Sequence, residues 1–310
     1  MNLRCLPWRA FAALLLLAFL FAIQAGAEVF RVATYNVENY LDEPVPGRMA
    51  KSAEARAKVR ESILAVKPDV LALQEMGSLS ALQELRESLK SGGLDFPYWE
   101  HLTGFDTNIH VAVLSRFPFV ARRPHTNDSF LLDGRRYHVR RGFAELDIQA
   151  GTNFAFTLIA AHLKSKNPVP EAEQSELRQE EAKVLREEID ARFAADPNTK
   201  LIVLGDLNDA KDAPSTKTVI GRGRHKLVDT RPAERNGDDA PGHRSAQPPA
   251  VTWTHYYAKE DTYSRIDYIL LSPGMARAWL PKETWVLSIS NWGVGSDHRP
   301  IVAGFETGAR

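Results

Sequence analysis

Leu201-Ile202-Val203-Leu204-Gly205-Asp206-Leu207-Asn208-Asp209 decides how the chain is read. Four consecutive apolar residues in so short a segment form a strand that needs burial on both faces. Gly205 permits close backbone approach, and Asp206 and Asn208, two residues apart, point the same way as the strand ends. A turn capped by Asx side chains accounts for this motif as well as a functional site does.

The same grammar recurs along the chain. Val70 to Leu73 runs into Gln74-Glu75, and a carboxylate there is costly to bury unpaired, so it reaches water or holds a cation. Val29 to Asn36 is rich in β-formers and leads to Asn36 and Glu38, which share a side; alone, they read as a strand end entering solvent. Phe154 to Ala161 leads to His162 and Lys164, which singly read as a core histidine and a solvated lysine. Asp267 interrupts the apolar strand Ile266 to Leu271 and demands a partner. Asp297-His298, just before Pro300-Ile301-Val302, offers an imidazole for it.

Between these strands the period changes. Lys51 to Val66 carries Ala53, Ala57, Ile63, Leu64 and Val66 at helical spacing and stops at Lys67-Pro68. Ser80 to Lys90 and Glu171 to Phe193 read as further helices, the first stopped by Gly92-Gly93. Strands are expected at Tyr98 to Leu102, Ile109 to Leu114, Val251 to Thr254, Thr284 to Ile289 and Ile301 to Phe305, with Tyr137 to Ile148 and Phe154 to Ala161 as a hairpin. Thr230 to Ala250, dominated by Pro, Gly, Asp, Asn and Arg, reads as a long loop. No repeat or composition break divides the chain, so residues 28–310 are expected to form a single domain.

The whole sequence has 310 residues, 44% hydrophobic and 25% charged, which excludes disordered, collagen-like and polytopic membrane classes. Thirty-nine basic and 39 acidic residues cancel, so recognition of a polyanion has to be local. Arg4 and Arg9 flank the apolar run Ala10 to Ile23, and Ala25-Gly26-Ala27 suits signal peptidase, so residues 1–27 read as a cleaved signal peptide. Cleavage would remove Cys5, the sole cysteine, and leave a periplasmic or secreted protein with no stable membrane insertion.

In their order and spacing, TYNVEN, LQE, HLKSK, GDLND, RIDYIL and SDHRP resemble the endonuclease/exonuclease/phosphatase superfamily, from about Phe30 to Ile301. The resemblance implies an α+β fold, a four-layer α/β/β/α sandwich of two mixed β-sheets flanked by helices, and metal-dependent phosphoester hydrolysis. It implies Glu75 as the main Mg²⁺ ligand, with Mn²⁺ or Ca²⁺ as alternatives, and Asn36, Glu38 and Asp297 completing the site. By the same resemblance His298, oriented by Asp267, is a general base or a phosphate-binding imidazole. Asp206 and Asn208 position water and a phosphoryl oxygen, and His162 stabilises phosphoryl oxygens or assists the leaving group. One departure stands out: a carboxylate supports the first histidine in deoxyribonuclease-like members, and Asn108 is expected in its place here.

Arg140-Arg141 resembles the phosphate-contacting arginine of that branch, and Lys164 lies in HLKSK, as in some secreted bacterial nucleases. Arg135-Arg136 and Arg222 to Lys226 offer further cations to backbone phosphates. The expectation is therefore a monomeric, Mg²⁺-dependent phosphodiesterase acting on nucleic acid. The rivals are a small-molecule or lipid phosphoesterase, for which Trp285 and Trp292 are suggestive, and a non-catalytic binding protein on the same scaffold.

Overall fold

The computed structural model describes residues 28–234 and 252–308. The signal segment, most of the expected loop over 230–250 and Val251 lie outside the described residues. The first half runs β1 (Val29–Tyr40), α1 (Ala53–Val66), β2 (Val70–Met76), α2 (Leu79–Ser91), β3 (Tyr98–Leu102), β4 (His110–Ser115), β5 (Phe119–His125), β6 (Ser129–Leu132), β7 (Arg135–His138), β8 (Phe143–Gly151) and β9 (Phe154–His162). The second runs α3 (Gln174–Ala195), β10 (Leu201–Asp206), α4 (Pro214–Ile220), β11 (Val228–Asp229), β12 (Ala233–Glu234), β13 (His255–Tyr257), β14 (Thr262–Ser264), β15 (Asp267–Leu271), α5 (Pro273–Ala276), β16 (Trp279–Val286) and β17 (Ile301–Glu306).

Two mixed sheets result, one of seven strands in the order β12-β16-β17-β1-β2-β4-β3 and one of six in the order β11-β15-β10-β9-β8-β5. In the first, the parallel pair β1 and β2 is joined through α1; in the second, β9 and β10 are joined through α3. Strand alternation sorts the side chains into layers. Phe30, Val32, Val70 and Ala72 from one sheet meet Leu158, Ala160, Ile202 and Leu204 from the other. On the outer faces, Ala33, Leu71 and Leu73 pack beneath Ile63 of α1 and Leu85 of α2, and Ile159, Leu201 and Val203 beneath Leu185 and Phe193 of α3. Leu201 to Leu204 is thus covered on both faces, and each such Leu or Ile contributes about 2 kcal/mol of burial. The α/β/β/α sandwich implied by the motifs is the fold.

Local chemistry sets the helix ends. Ser52 Oγ accepts from the Ala55 N–H at the start of α1, and Lys67, at φ 50°, ends it before Pro68. Among the described residues, no helix is long and apolar enough to cross a membrane.

The structure corrects three strand assignments. Thr252 to Thr254 is not a strand; the pairing begins at His255. Tyr137 to Ile148 is broken, its first two residues closing the ribbon β6–β7 and Phe143 beginning β8. The edge strand β5 was not anticipated, because Arg122, Arg123 and Pro124 mask its alternation; proline is tolerated at an edge that needs no further partner.

The two parallel pairs send their carboxyl ends to one rim, bringing Asn36, Glu75, His162 and Asp206 together. Asp206 stands opposite His162 on β9 and opposite Asp267 on β15. Gly205 makes that row of residues feasible: its φ is 131°, and a Cβ built there would lie 2.0 Å from the Ala161 carbonyl oxygen. Gly205→Ala is therefore expected to cost about 3 kcal/mol or more in urea unfolding. An unchanged unfolding midpoint would show that β9 yields instead.

Candidate active site

Irregular backbone shapes the rim. The β1–β2 register shifts between Asn36 and Tyr40, and the β2–β4 register between Leu73 and Met76. Within those bulges Glu38, Asn39 and Glu75 take φ values of 43°, 50° and 60°, and Asn208 takes 55° beyond β10. Left-handed backbone costs a non-glycine residue about 1–3 kcal/mol where the surroundings enforce it, and bulges re-aim side chains out of strict alternation. Glu75 Oε1 accepts from Asn36 Nδ2 at 3.3 Å, and its Oε2 from the Asn39 N–H at 3.0 Å. Asn36 Oδ1 accepts from the Glu38 N–H at 3.0 Å, and Glu38 Oε2 from the Asp297 N–H at 3.1 Å.

Behind this mouth runs a buried line of acids and imidazoles. Asp267 Oδ2 accepts from Thr254 Oγ1 at 2.7 Å and lies 2.8 Å from His298 Nδ1. His298 Nε2 thereby faces outward, 3.8 Å from both Asp206 Oδ2 and Asp297 Oδ1. The same Asp206 oxygen accepts from Asn36 Nδ2 at 3.0 Å and lies 3.5 Å from His162 Nε2. Asn208 donates its backbone N–H to Asp206 Oδ1 at 2.8 Å and an amide hydrogen to the Leu163 carbonyl at 3.0 Å, fixing β10 against the end of β9.

Proton affinities follow from these contacts. Burial raises the Asp206 pKa to about 7, with the Asp267 charge adding to it and His298 opposing. His298 stands well above its usual value, because Asp267, Asp206 and Asp297 together outweigh burial. His162 is pushed well below it by burial and by Arg141, His298 and Arg48, so it is a neutral imidazole.

The outer mouth is acidic. Burial raises the Glu38 carboxyl, and Asp297 and Glu75 raise it further, against Lys51 and the hydrogen bond from the Asp297 N–H. Three carboxylates sharing one lysine form a hard oxygen donor set suited to a divalent cation, which Glu75 and Asn36 would hold with Glu38 and Asp297 at its margin. Two tighter trios converge within 4.8 Å behind it, His255–Asp297–His298 and Asp206–Asp267–His298.

Other expected residues are placed differently. Arg141 is buried, donating to the Leu163 carbonyl at 3.1 Å and standing 3.8 Å from Asp106, whereas Arg140 lines a separate 310 Å³ pocket with Phe105 and Glu171. Lys164 donates to the Ser165 and Asn167 carbonyls, and burial with Arg141 and Arg140 lowers its pKa to about 8. Asn108 does not support His162. It is exposed on a turn where its N–H donates to Asp106 Oδ1, and His162 Nδ1 is buried without a hydrogen-bond partner. Sequence reading missed Arg48, bonded to Asn39 Oδ1 at 2.9 Å, Lys51 beside the acids, and His255, 3.6 Å from Asp297.

The Endonuclease/Exonuclease/phosphatase family model matches residues 33–298. Among solved structures, the human Nocturnin catalytic domain superposes with TM-score 0.60 at 17% identity, covering 90% of this chain and 97% of that one. Sphingomyelinase C from Streptomyces griseocarneus gives 0.58 at 19%, covering 90% and 99%. Truncated TDP2 of Caenorhabditis elegans gives 0.58 at 17%, covering 89% and 97%. A sequence search of curated proteins returned no match.

If His298 and Asp267 act as a unit, His298→Ala lowers phosphodiester turnover by about 10²–10⁴ with the protein folded, and Asp267→Asn causes a loss of the same kind. The double variant then loses far less than the product of the two. Steady-state kinetics of the four proteins decide it, and simple multiplication of the losses would refute the coupling.

Proposed function

The chain belongs to the endonuclease/exonuclease/phosphatase family, and from that premise we propose that it is a Mg²⁺-dependent phosphodiesterase that cleaves nucleic acid. At the family level it is a metal-dependent phosphoric ester hydrolase. The observation behind this reading is the set of cations near His162, where Arg141, His298 and Arg48 add to burial in lowering the proton affinity of one imidazole. A local positive field of this kind receives a phosphodiester anion although the whole chain is neutral.

Phosphoester hydrolysis needs a water aligned with the phosphorus and donors for the equatorial oxygens. In this reading Asp206, with a pKa near neutral, orients the water and takes its proton. His298, held protonated by Asp267, donates from Nε2 to a phosphoryl oxygen, and neutral His162 donates a second hydrogen bond. A Mg²⁺ ion at Glu75 and Asn36 would supply electrophilic stabilisation of the phosphoryl oxygens.

One observation favours the lipid or small-molecule reading. The hairpin β13–β14 begins beside His298 and exposes Tyr257 and Tyr263, at 39% and 57%. Those rings offer an apolar face to lipid. Trp285 is buried in the core, whereas Trp292 packs on Trp253, which in turn meets Tyr263 edge-on.

Cleavage of DNA or RNA is expected to stop in EDTA and return with Mg²⁺, and Glu75→Gln is expected to lower it by about 10² or more. Turnover of sphingomyelin or a small diester with nucleic acid untouched would move the assignment to the second reading. Export is the other part of the proposal: mass spectrometry of the protein from periplasm or medium should find an N-terminus near Glu28, and an intact Met1 on active protein would refute it.

A further inference from the structure

Beyond the rim, α4 and β11 enclose a 560 Å³ pocket whose wall carries Lys211, Lys217, Arg222, Lys226 and Arg231. Among the described residues, none of these five side chains has a hydrogen-bond or ion-pair partner. The lining acids do not neutralise them. Asp229 is held by both terminal nitrogens of Arg265, at 2.9 and 2.6 Å, leaving Asp212 as the one other acid. Five cations left facing one cavity repel each other, a cost that a polyvalent anion would relieve.

The pocket also lies close to the hydrolytic centre. Lys211 follows Asn208 by three residues, a reach of at most about 11 Å. Asp229 pairs with Leu270, three residues along β15 from Asp267, or about 10 Å. A strand crossing the Asp206–His298 centre covers that distance in about three nucleotides at roughly 3.4 Å of rise each. The pocket floor is Ile220 and Leu227, both buried, so the cavity has a walled apolar base and no protruding side chain to enter a membrane.

We propose that this pocket binds the phosphate backbone of a nucleic-acid strand as it leaves the hydrolytic centre, an extended subsite set by Lys211, Lys217, Arg222, Lys226 and Arg231. The proposal rests on the nucleic-acid reading above and goes further, since it assigns the strand a path along the β11 edge.

The experiment is fluorescence anisotropy of a labelled, cleavage-resistant phosphorothioate oligonucleotide with the Mg²⁺-loaded protein, between about 50 and 200 mM salt. Three proteins are compared: wild type, Lys211→Gln/Lys217→Gln/Lys226→Gln, and a charge-matched control, Lys67→Gln/Lys90→Gln/Lys183→Gln, altered on exposed surface elsewhere. The pocket variant should bind about 10–100-fold more weakly, with the slope of log K against log salt shallower by about 2, while the control stays within about twofold of wild type. Thermal unfolding verifies that all three fold. Equal affinities in the three proteins overturn the proposal. So does a wild type that binds anionic vesicles or inorganic phosphate but no oligonucleotide. Cleavage assays separate the two readings: pocket-dependent binding without cleavage removes the nuclease assignment and keeps the subsite, and cleavage indifferent to the pocket variant removes the subsite alone.

Discussion

The reactive rim depends on burying two carboxylates face to face. Asp206 and Asp267 are directly opposed across antiparallel β10 and β15, an arrangement that like charges disfavour. It persists because His298 stands between them, Nδ1 on Asp267 and Nε2 toward Asp206, and because Asn36 reaches from the other sheet to donate to Asp206. The elevated proton affinities of Asp206 and His298 are the electrostatic record of that compromise. Removing one member of such a buried set typically costs about 3–5 kcal/mol, so the residues proposed for catalysis also tie the two sheets together.

The rest of the rim is backbone geometry. In an unbroken strand Gln74 and Glu75 point to opposite faces, so Asn36, the register partner of Gln74, would stand apart from Glu75. The left-handed turn at Glu75 swings its carboxylate toward Asn36, while Thr34 Oγ1 holds Gln74 in the buried layer at 3.1 Å. Glu38 and Asn39 do the same from β1, and Asn208 from beyond β10. Four non-glycine residues in this costly conformation cluster where the strands end, and the close-packed sandwich behind them enforces it.

Sequence showed the layers and the strand-end residues because both leave local marks. Apolar runs such as Val70 to Leu73 require covered faces, and a carboxylate placed just after one requires a partner. What it concealed was non-local. Arg48 and Lys51 lie in an ordinary polar connection, and only the pairing of β1 with β17 and β2 and its packing on β10 bring them to Glu38 and His162. Arg140-Arg141 reads as one cationic unit, yet the chain separates the two, one side chain against Leu163 and the other into a different pocket. Asn108 sits where spacing puts a support for His162, but Asp106 draws its N–H into a turn at the surface. Val251 to Thr254 has the composition of a strand; Thr254 instead gives its hydroxyl to Asp267 and its carbonyl to the Arg299 N–H, anchoring the hairpin on the SDHRP segment.

The two sheets contribute different chemistry. Glu38, Glu75 and Asp297 come from the ends of β1 and β2 and the approach to β17, all in the seven-stranded sheet, and they make an acidic wall with Lys51 as its counter-charge. The six-stranded sheet brings His162, its proton affinity depressed by burial and by Arg141, and, past Asp206, the cations that line the pocket between α4 and β11. In the proposed reading a phosphodiester lies across the seam, its metal against the first sheet and its non-bridging oxygens toward the second. Asp206 is the one carboxylate at the seam itself, bonded to Asn36 across it and close to both histidines. Burial there and the Asp267 charge opposite it raise its pKa to about 7, with His298 and the hydrogen bonds from Asn208 and Asn36 opposing. The sandwich therefore does more than hold residues in place: by burying Asp206 at the seam opposite Asp267, it sets the proton affinity of the group that faces both histidines.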